Sequence, residues 1–96
     1  MVVDIASLKS GDRNVTVKGK ITEKLEERIV FTKFGRRKVC EFVIEDETSS
    51  ANLVLWEERI NDVSVGDEVE IDNCYITQFK NKIQINLSRN STIKKI

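Results

Sequence analysis

Three aromatic residues and two lysines occupy outward positions of strand-like segments, where a hydrophobic core has no use for them. They are Trp56, Tyr75, Phe79, Lys80 and Lys82. An aromatic ring can cover one face of a base that is unstacked from its neighbours, which contributes roughly 1–3 kcal/mol with little dependence on base identity. Lysines beside the rings would attract phosphates, so binding should weaken as salt rises. This combination indicates a surface for single-stranded nucleic acid; the alternative is that all three rings belong to the core.

The outward position of Trp56 follows from the segment Ala51–Trp56, whose alternating apolar residues predict a strand. If Leu53 and Leu55 face the core, then Trp56 faces away from it. We therefore expect Trp56 at the end of this strand, on its outer face.

The outward positions of Tyr75 and Phe79 require a break in the alternation. Within Glu68–Asp72, Val69 and Ile71 are the core residues, and continuing that pattern would bury Tyr75. We therefore predict a β-bulge near Asp72 and Asn73, which reverses the two faces of the strand. After the bulge the inward residues are Cys74 and Ile76, and the outward residues are Tyr75, Thr77 and Phe79.

The last strand is predicted as Ile83–Leu87, with Lys82, Gln84 and Asn86 on its outer face. It joins the preceding strand through a tight turn at Phe79–Lys82. Asn81 suits that turn because asparagine tolerates the left-handed backbone conformation.

The remaining pattern completes a five-stranded chain. Strands are predicted at Asn14–Glu23 and at about Arg37–Glu45, separated by a less regular segment, Lys24–Arg36, and a short helix is predicted at Glu57–Val63. Five strands with one brief helix between the third and fourth match an all-β, five-stranded Greek-key barrel, the OB-fold. A small β-sandwich is the alternative. In an OB-fold the ligand groove lies on strands two and three, between the loops that join strands one to two and four to five. Further candidate contacts are therefore Lys33, Phe34, Arg36, Arg37 and Gln84.

Charge is balanced overall but segregated along the chain. Lys9–Lys38 holds ten basic and four acidic residues, Val39–Asp72 one basic and eleven acidic, and Asn73–Ile96 five basic and no acidic residues. If the two basic stretches meet in the fold, they form a positive groove, while the acids face elsewhere or mark a surface for a protein partner. The alternative is that these charged residues only form solvent-exposed faces of strands and bind nothing.

Length and composition limit the classes of protein to which the chain can belong. Ninety-six residues with 40% hydrophobic content suit one small domain. No apolar stretch is long enough to span a bilayer, and no signal peptide precedes Asp4, so we expect a soluble, cytoplasmic, nucleoid-associated protein. Cys40 and Cys74 are expected to be buried free thiols. With no histidine, nucleophile motif or phosphate-binding glycine loop, we expect no enzyme, cofactor, metal or small-molecule substrate.

The chain resembles the archaeal single-stranded-DNA-binding proteins and the DNA-binding domains of archaeal replication protein A. The resemblance covers nearly the whole sequence and rests on segments in matching order: Ile5–Gly11, Asp46–Thr48, Leu53–Trp56, Val65–Asp67 and Tyr75–Lys80. It implies that Trp56, Tyr75 and Phe79 stack on DNA bases. Ser49 and Asn81 stand where the family often has glycine, and Tyr75 stands for a frequent tryptophan, which should weaken stacking.

Two other functions remain open. One is RNA binding, including an anticodon-binding barrel, which uses the same stacking and differs only in contacts to the 2′-hydroxyl. The other is a barrel that binds protein and not nucleic acid, which the neutral charge and the acidic stretch would suit. We expect this barrel to be one module of a longer chain, with further OB-fold domains or replication and repair proteins as partners, because tandem modules gain affinity through effective concentration.

Overall fold

The computed structural model describes all of residues 1–96 and shows a closed barrel of five strands. In chain order the elements are a 3-10 helix Ile5–Ser7, β1 Val15–Thr32, β2 Gly35–Glu45, β3 Ser50–Trp56, a second 3-10 helix Glu57–Asp62, β4 Glu68–Phe79 and β5 Lys82–Lys95. The strands neighbour one another in the order β1-β2-β3-β5-β4, and β4 returns to β1. Only the β3–β5 pair is parallel. This topology, with a short helix between β3 and β4, confirms the predicted OB-fold.

The barrel interior is filled by the alternating apolar residues of all five strands. Phe42 and Leu53 are among the fully buried side chains, and the core-facing positions predicted for Cys40 and Cys74 are confirmed. Burial raises the pKa of the Cys74 thiol to about 11, and burial likewise raises the pKa of Cys40. No group of three or more histidine, cysteine, aspartate or glutamate side chains is placed to hold a metal ion. None of the helices has the length and apolar character needed to cross a membrane.

The predicted bulge in β4 is present. The register between β4 and β5 shifts between Asp72 and Cys74, and Asn73 has a φ of 59°. Val69 and Ile71 before the shift and Cys74 and Ile76 after it are all buried. The extra residue therefore reverses the outward face of the strand at the point where the sequence requires it.

Closure of the barrel depends on a glycine in β1. This strand pairs with β2 and with β4 at once, and Lys20 is opposite both Glu45 and Glu68. A Cβ placed on the neighbouring Gly19 would lie 2.7 Å from the backbone oxygen of Glu45. The missing side chain lets the two backbones approach closely enough for the sheet to curl.

The prediction of an irregular segment at Lys24–Arg36 was wrong. β1 continues to Thr32 and forms a ribbon with β2, joined by a turn at Lys33 and Phe34. The pairing register shifts between Lys24 and Glu27, so the alternation in the sequence changes phase there. Beyond that shift most of the ribbon extends past the core, and no buried face marks it as strand.

The last strand is also longer than predicted. It continues beyond Leu87 to Lys95. Its anchor in this extension is Ser91, which is buried although polar, and whose hydroxyl donates a hydrogen bond of 2.6 Å to the carbonyl of Asn73. A buried serine satisfied in this way leaves no apolar pattern in the sequence.

The turn between β2 and β3 is built around Asp46. Its carboxylate accepts hydrogen bonds from the amides of Ile5, Thr48 and Ser49 and from the Thr48 hydroxyl, at 2.6–3.0 Å. Burial opposes ionisation, but the hydrogen bonds outweigh it and lower the pKa of Asp46 from 3.8 to about 2. The same carboxylate thus closes the turn and fixes the 3-10 helix that starts at Ile5.

Candidate nucleic-acid interface

Three aromatic rings lie exposed on the outer face of the barrel. Trp56 at the end of β3 is 41% exposed, Tyr75 in β4 is 40% exposed, and Phe79 at the end of β4 is 60% exposed. Each follows the alternation of its strand, whose inward neighbours Leu55 and Ile76 are buried. The rings are therefore available to a ligand and are not part of the core.

Strand pairing fixes the spacing of the three rings. Val54 is opposite Asn86, Asn86 is opposite Tyr75, and Phe79 is opposite Lys82. Given strands about 4.8 Å apart and a rise of about 3.4 Å per residue, Trp56 lies roughly 12 Å from Tyr75, and Phe79 roughly 13 Å beyond Tyr75. The rings thus form a bent path that crosses from Trp56 on β3 over β5 to Tyr75 and then follows β4 to Phe79.

Two valines form an apolar floor beside Trp56. Val39 and Val54 are 2% and 7% exposed, yet neither belongs to the cluster of core side chains inside the barrel. Val39 is the direct cross-strand partner of Trp56, and Val54 precedes Trp56 by two residues on the same face. With so little of their surface exposed, the two valines support the outer face beside Trp56, and the exposed part of the Trp56 ring is the surface that a flat ligand would contact.

A chain of polar side chains crosses the same face next to the valines. Asn86 donates to the Thr77 hydroxyl at 2.9 Å, the Thr77 hydroxyl donates to the side-chain oxygen Oε1 of Gln84 at 3.1 Å, and the Gln84 amide nitrogen donates to Glu41 at 3.2 Å. Asn52 also donates to Glu41, at 3.2 Å. Four strands are thereby tied together on their outer face, and the predicted contact residue Gln84 is at the centre of this network.

The two basic hairpin tips border this face at opposite ends. In the β1–β2 turn, Gly35 has a φ of 99°, and the ammonium of Lys33 lies 5.2 Å from the centre of the Phe34 ring. In the β4–β5 turn, Lys80 and Asn81 have φ values of 50° and 65°, as expected of a type I′ turn, which confirms the left-handed conformation predicted for Asn81. The ammonium of Lys80 lies 5.4 Å from the centre of the Phe79 ring.

The ribbon separates two residues that the sequence grouped together. Arg37 shares the outer face with Val39 and Glu41, whereas Arg36 shares the opposite face with Lys38 and Cys40, because alternate residues of β2 point in opposite directions. Arg37 approaches Glu57, with Nε 3.9 Å from Oε1. Only Arg37 of the pair is directed to the face that carries the rings.

Two clefts extend the face on either side of Ser88. One, of about 580 Å³, lies beside Trp56 and includes Arg37, Arg59 and Arg89. The other, of about 320 Å³, lies beside Tyr75 and includes Arg13. Both are lined by Ser88, so they follow one another across the sheet. Three of these cations were not predicted from the sequence: Arg89 lies in the unpredicted extension of β5, Arg59 lies in the short helix after β3, and Arg13 precedes the first predicted strand.

The expected arrangement of charge is only partly present. The hairpin tips of the two basic stretches bound the face from opposite ends, and the stretches meet only at the cleft beside Trp56, which Arg37 and Arg89 both line. The acidic residues are not confined to other surfaces, because Glu41 and Glu57 lie on or beside the same face. The face is therefore an aromatic and polar floor between two basic borders, with a carboxylate in the middle.

Comparisons with known proteins agree with this architecture. Residues 15–93 match the family described as the OB-fold nucleic acid binding domain. The chain is 32% identical over 89 residues to the single-stranded DNA binding protein Ssb of Saccharolobus solfataricus, an alignment that covers 93% of this chain and 60% of Ssb.

Two solved structures share the fold. The OB domain of a Thermoplasma acidophilum protein has a TM-score of 0.85 with 23% identity, over 99% of this chain and 86% of that one. The replication factor A related protein of Methanobacterium thermoautotrophicum has a TM-score of 0.84 with 24% identity, over 100% of this chain and 91% of that one. Because the family match covers most of the chain, this protein belongs to the OB-fold nucleic-acid-binding domain family.

Proposed function

We propose that this domain binds single-stranded DNA with little sequence dependence, by stacking bases on Trp56, Tyr75 and Phe79. The observation that carries the proposal is the exposure of all three rings on one outer face of the barrel. Similarity to a single-stranded DNA binding protein supports DNA as the ligand. A base can stack on a protein ring only when it is separated from one of its neighbours, and single strands meet that condition without the cost of opening a duplex.

In the proposed complex the strand crosses the sheet between the two hairpin tips. Bases lie against the three rings, and phosphates run along the basic borders. Lys33 and Arg37 would serve one border, and Lys80 and Lys82 the other. Phe34 at the exposed ribbon tip would cover a base from above, and Arg36 on the far face of the ribbon would act only through long-range attraction. Each phosphate that a cation neutralises releases counterions, so affinity falls with salt.

The small size of the binding face also points to partners other than DNA. A face with three rings holds only a few nucleotides, and linked modules raise affinity through effective concentration. We therefore infer that the domain works beside further OB-fold domains or replication and repair proteins, in association with the nucleoid.

The proposal is tested with fluorescently labelled oligonucleotides of one sequence, offered as single-stranded DNA, single-stranded RNA and duplex DNA. The expected order of affinity is single-stranded DNA first and duplex last. The double variant Trp56→Ala/Phe79→Ala should lose binding while unfolding at nearly the same temperature. Tighter binding of the RNA would assign the domain to RNA. Absence of binding to all three would leave a protein-binding barrel as the function.

A further inference from the structure

Glu41 is an acidic residue on the face that, in the proposed function, binds the negatively charged DNA strand. It lies in the middle of β2 on the outer face, directly opposite Val54 and diagonal to Trp56. Diagonal neighbours on adjacent strands are about 7–8 Å apart, within reach of a base stacked on the indole ring. A carboxylate at this position repels phosphate groups. The part of a bound strand that lies over Glu41 must therefore be a base edge and not the backbone.

The hydrogen bonds of Glu41 leave one oxygen largely free. Oε1 accepts from both Asn52 and Gln84, each at 3.2 Å. Oε2 has only a contact of 3.5 Å with the guanidinium of Arg28, whose side chain is 59% exposed. A contact of that length to an exposed arginine contributes little and is easily exchanged. Oε2, on a side chain that is 19% exposed, is thus a carboxylate acceptor with unused capacity.

The neighbouring side chains hold this acceptor in place. Every hydrogen bond in the chain from Asn86 through Thr77 and Gln84 points toward Glu41. A carboxylate can accept hydrogen bonds but cannot donate them, and the network prevents it from turning away. A base that presents an N–H at this point gains a charge-assisted hydrogen bond, and a base that presents an oxygen is repelled.

We propose that Glu41 is a base-edge acceptor that makes the groove favour cytosine over thymine. The two pyrimidines have similar ring area for stacking. At C4 cytosine carries an amino donor and thymine a carbonyl acceptor, whereas at N3 the order is reversed, so the preference for cytosine requires Oε2 to meet the C4 group; glutamate accepting from the cytosine amino group is a known pairing. The inference rests on the proposed binding of single strands. It adds a bias to a sequence-tolerant surface, because stacking on the three rings does not depend on the base.

The test compares short oligodeoxycytidine and oligodeoxythymidine of equal length at neutral pH. Wild-type protein should bind the cytidine oligomer roughly fivefold more tightly, the effect of about one net hydrogen bond. In Glu41→Gln the uncharged amide can both donate and accept, so the preference should fall to less than twofold. Glu47→Gln is the matched control, because Glu47 lies in the β2–β3 turn, is exposed, and makes no side-chain hydrogen bond or ion pair. It removes the same charge and should retain the preference.

A second measurement changes the ligand and leaves the protein intact. An oligomer of 2-pyrimidinone deoxynucleotides has the cytosine ring without the amino group, and it should lose the advantage of cytosine with wild-type protein. Equal binding of cytidine and thymidine oligomers by the wild type, or a preference that survives in Glu41→Gln, would overturn the role of Glu41 while leaving single-strand binding intact. Absence of binding to either oligomer would overturn the proposed function and this inference with it.

Discussion

Glu41 lies in the middle of β2, and Asp46 directly follows the end of that strand. The two carboxylates differ in how many hydrogen bonds they accept. Asp46 receives four hydrogen bonds at 2.6–3.0 Å, which lower its pKa to about 2 against the effect of burial. Glu41 has one oxygen occupied by two amides and the other touched only by Arg28 at 3.5 Å. A carboxylate whose acceptor sites are all occupied stabilises the fold, whereas an acceptor site left open on the outer face can bind a ligand.

Aromatic residues show the same division. Phe42 is 1% exposed on the inner face of β2, while Trp56 on the outer face of β3 leaves 41% of its surface to solvent. The inner face and the Asp46 turn should therefore control stability, and the outer face should control affinity. Substitutions on each face test whether stability and affinity are controlled separately.

The largest expected effect is the loss of two rings. Trp56→Ala/Phe79→Ala should lose about 2–6 kcal/mol of single-stranded DNA affinity, because each ring contributes about 1–3 kcal/mol and distant sites add. Thermal unfolding should be nearly unchanged. Phe31→Ala is the control, since Phe31 is 81% exposed on the opposite face of the ribbon. A large fall in unfolding temperature with unaltered affinity would place the two rings in the core.

The next effect is on stability. Asp46→Ala removes the acceptor of four hydrogen bonds and should cost roughly 2 kcal/mol, which lowers the unfolding temperature by roughly 8–16 °C in a domain of this size. Affinity for DNA, measured below the transition, should change less than twofold. Glu47→Ala at the adjacent position should affect neither quantity. A binding defect in Asp46→Ala would show that the two regions are coupled.

The acid stability of the protein should carry the signature of Asp46. Because its folded pKa is lowered from 3.8 to about 2, its contribution is complete above the higher value and is lost as the pH falls through that interval. Asp46→Asn lacks this contribution. The difference in unfolding free energy between wild type and Asp46→Asn should therefore shrink between these two pH values, as measured by urea denaturation. A constant difference would contradict the lowered pKa.

A smaller effect is expected from the lysines of the β4–β5 turn. Lys80→Ala/Lys82→Ala should flatten the dependence of log affinity on log salt by up to about 0.7 for each phosphate that is no longer neutralised. Lys94→Ala/Lys95→Ala removes the same charge at the far end of β5 and should leave the slope close to that of the wild type. Equal slopes for wild type and the Lys80/Lys82 variant would show that the turn does not contact phosphate.

The smallest effect is expected from a larger ring at position 75. Tyr75→Trp enlarges the ring on the outer face and should tighten single-stranded DNA binding by roughly twofold to threefold. The control Phe31→Trp should give no gain in affinity. Labelled oligonucleotide anisotropy measures both variants without interference from the new indole. Weaker binding by Tyr75→Trp would mean that the phenol acts through its hydroxyl and not its face.

Alternation alone predicted most of the barrel. It located Trp56 and Tyr75 on the outer face, and it required the bulge that the structure places at Asn73. It failed where alternation changes phase without a buried face to reveal it, as in the β1 ribbon after Lys24. It failed again where the anchor is the polar Ser91, whose burial depends on hydrogen bonds and not on apolar surface.

The candidate site was harder to predict than the fold. Exposed rings can be inferred from one strand at a time, but the surroundings of Glu41 are made by Asn52 and Gln84 from two other strands. Nothing in the local sequence around Glu41 distinguishes it from other acidic residues of the same stretch. Its position between the rings and the valine floor appears only when the strands are paired.

Trp56 is the single tryptophan of the chain, so its fluorescence reports directly on base stacking. A short oligothymidine is titrated into the protein at low and at moderate salt while the fluorescence of Trp56 is followed. Stacking on a base should quench the indole, the quenching should saturate, and the affinity should fall at the higher salt concentration. An unchanged Trp56 signal at high concentrations of protein and oligomer would contradict base stacking on this face.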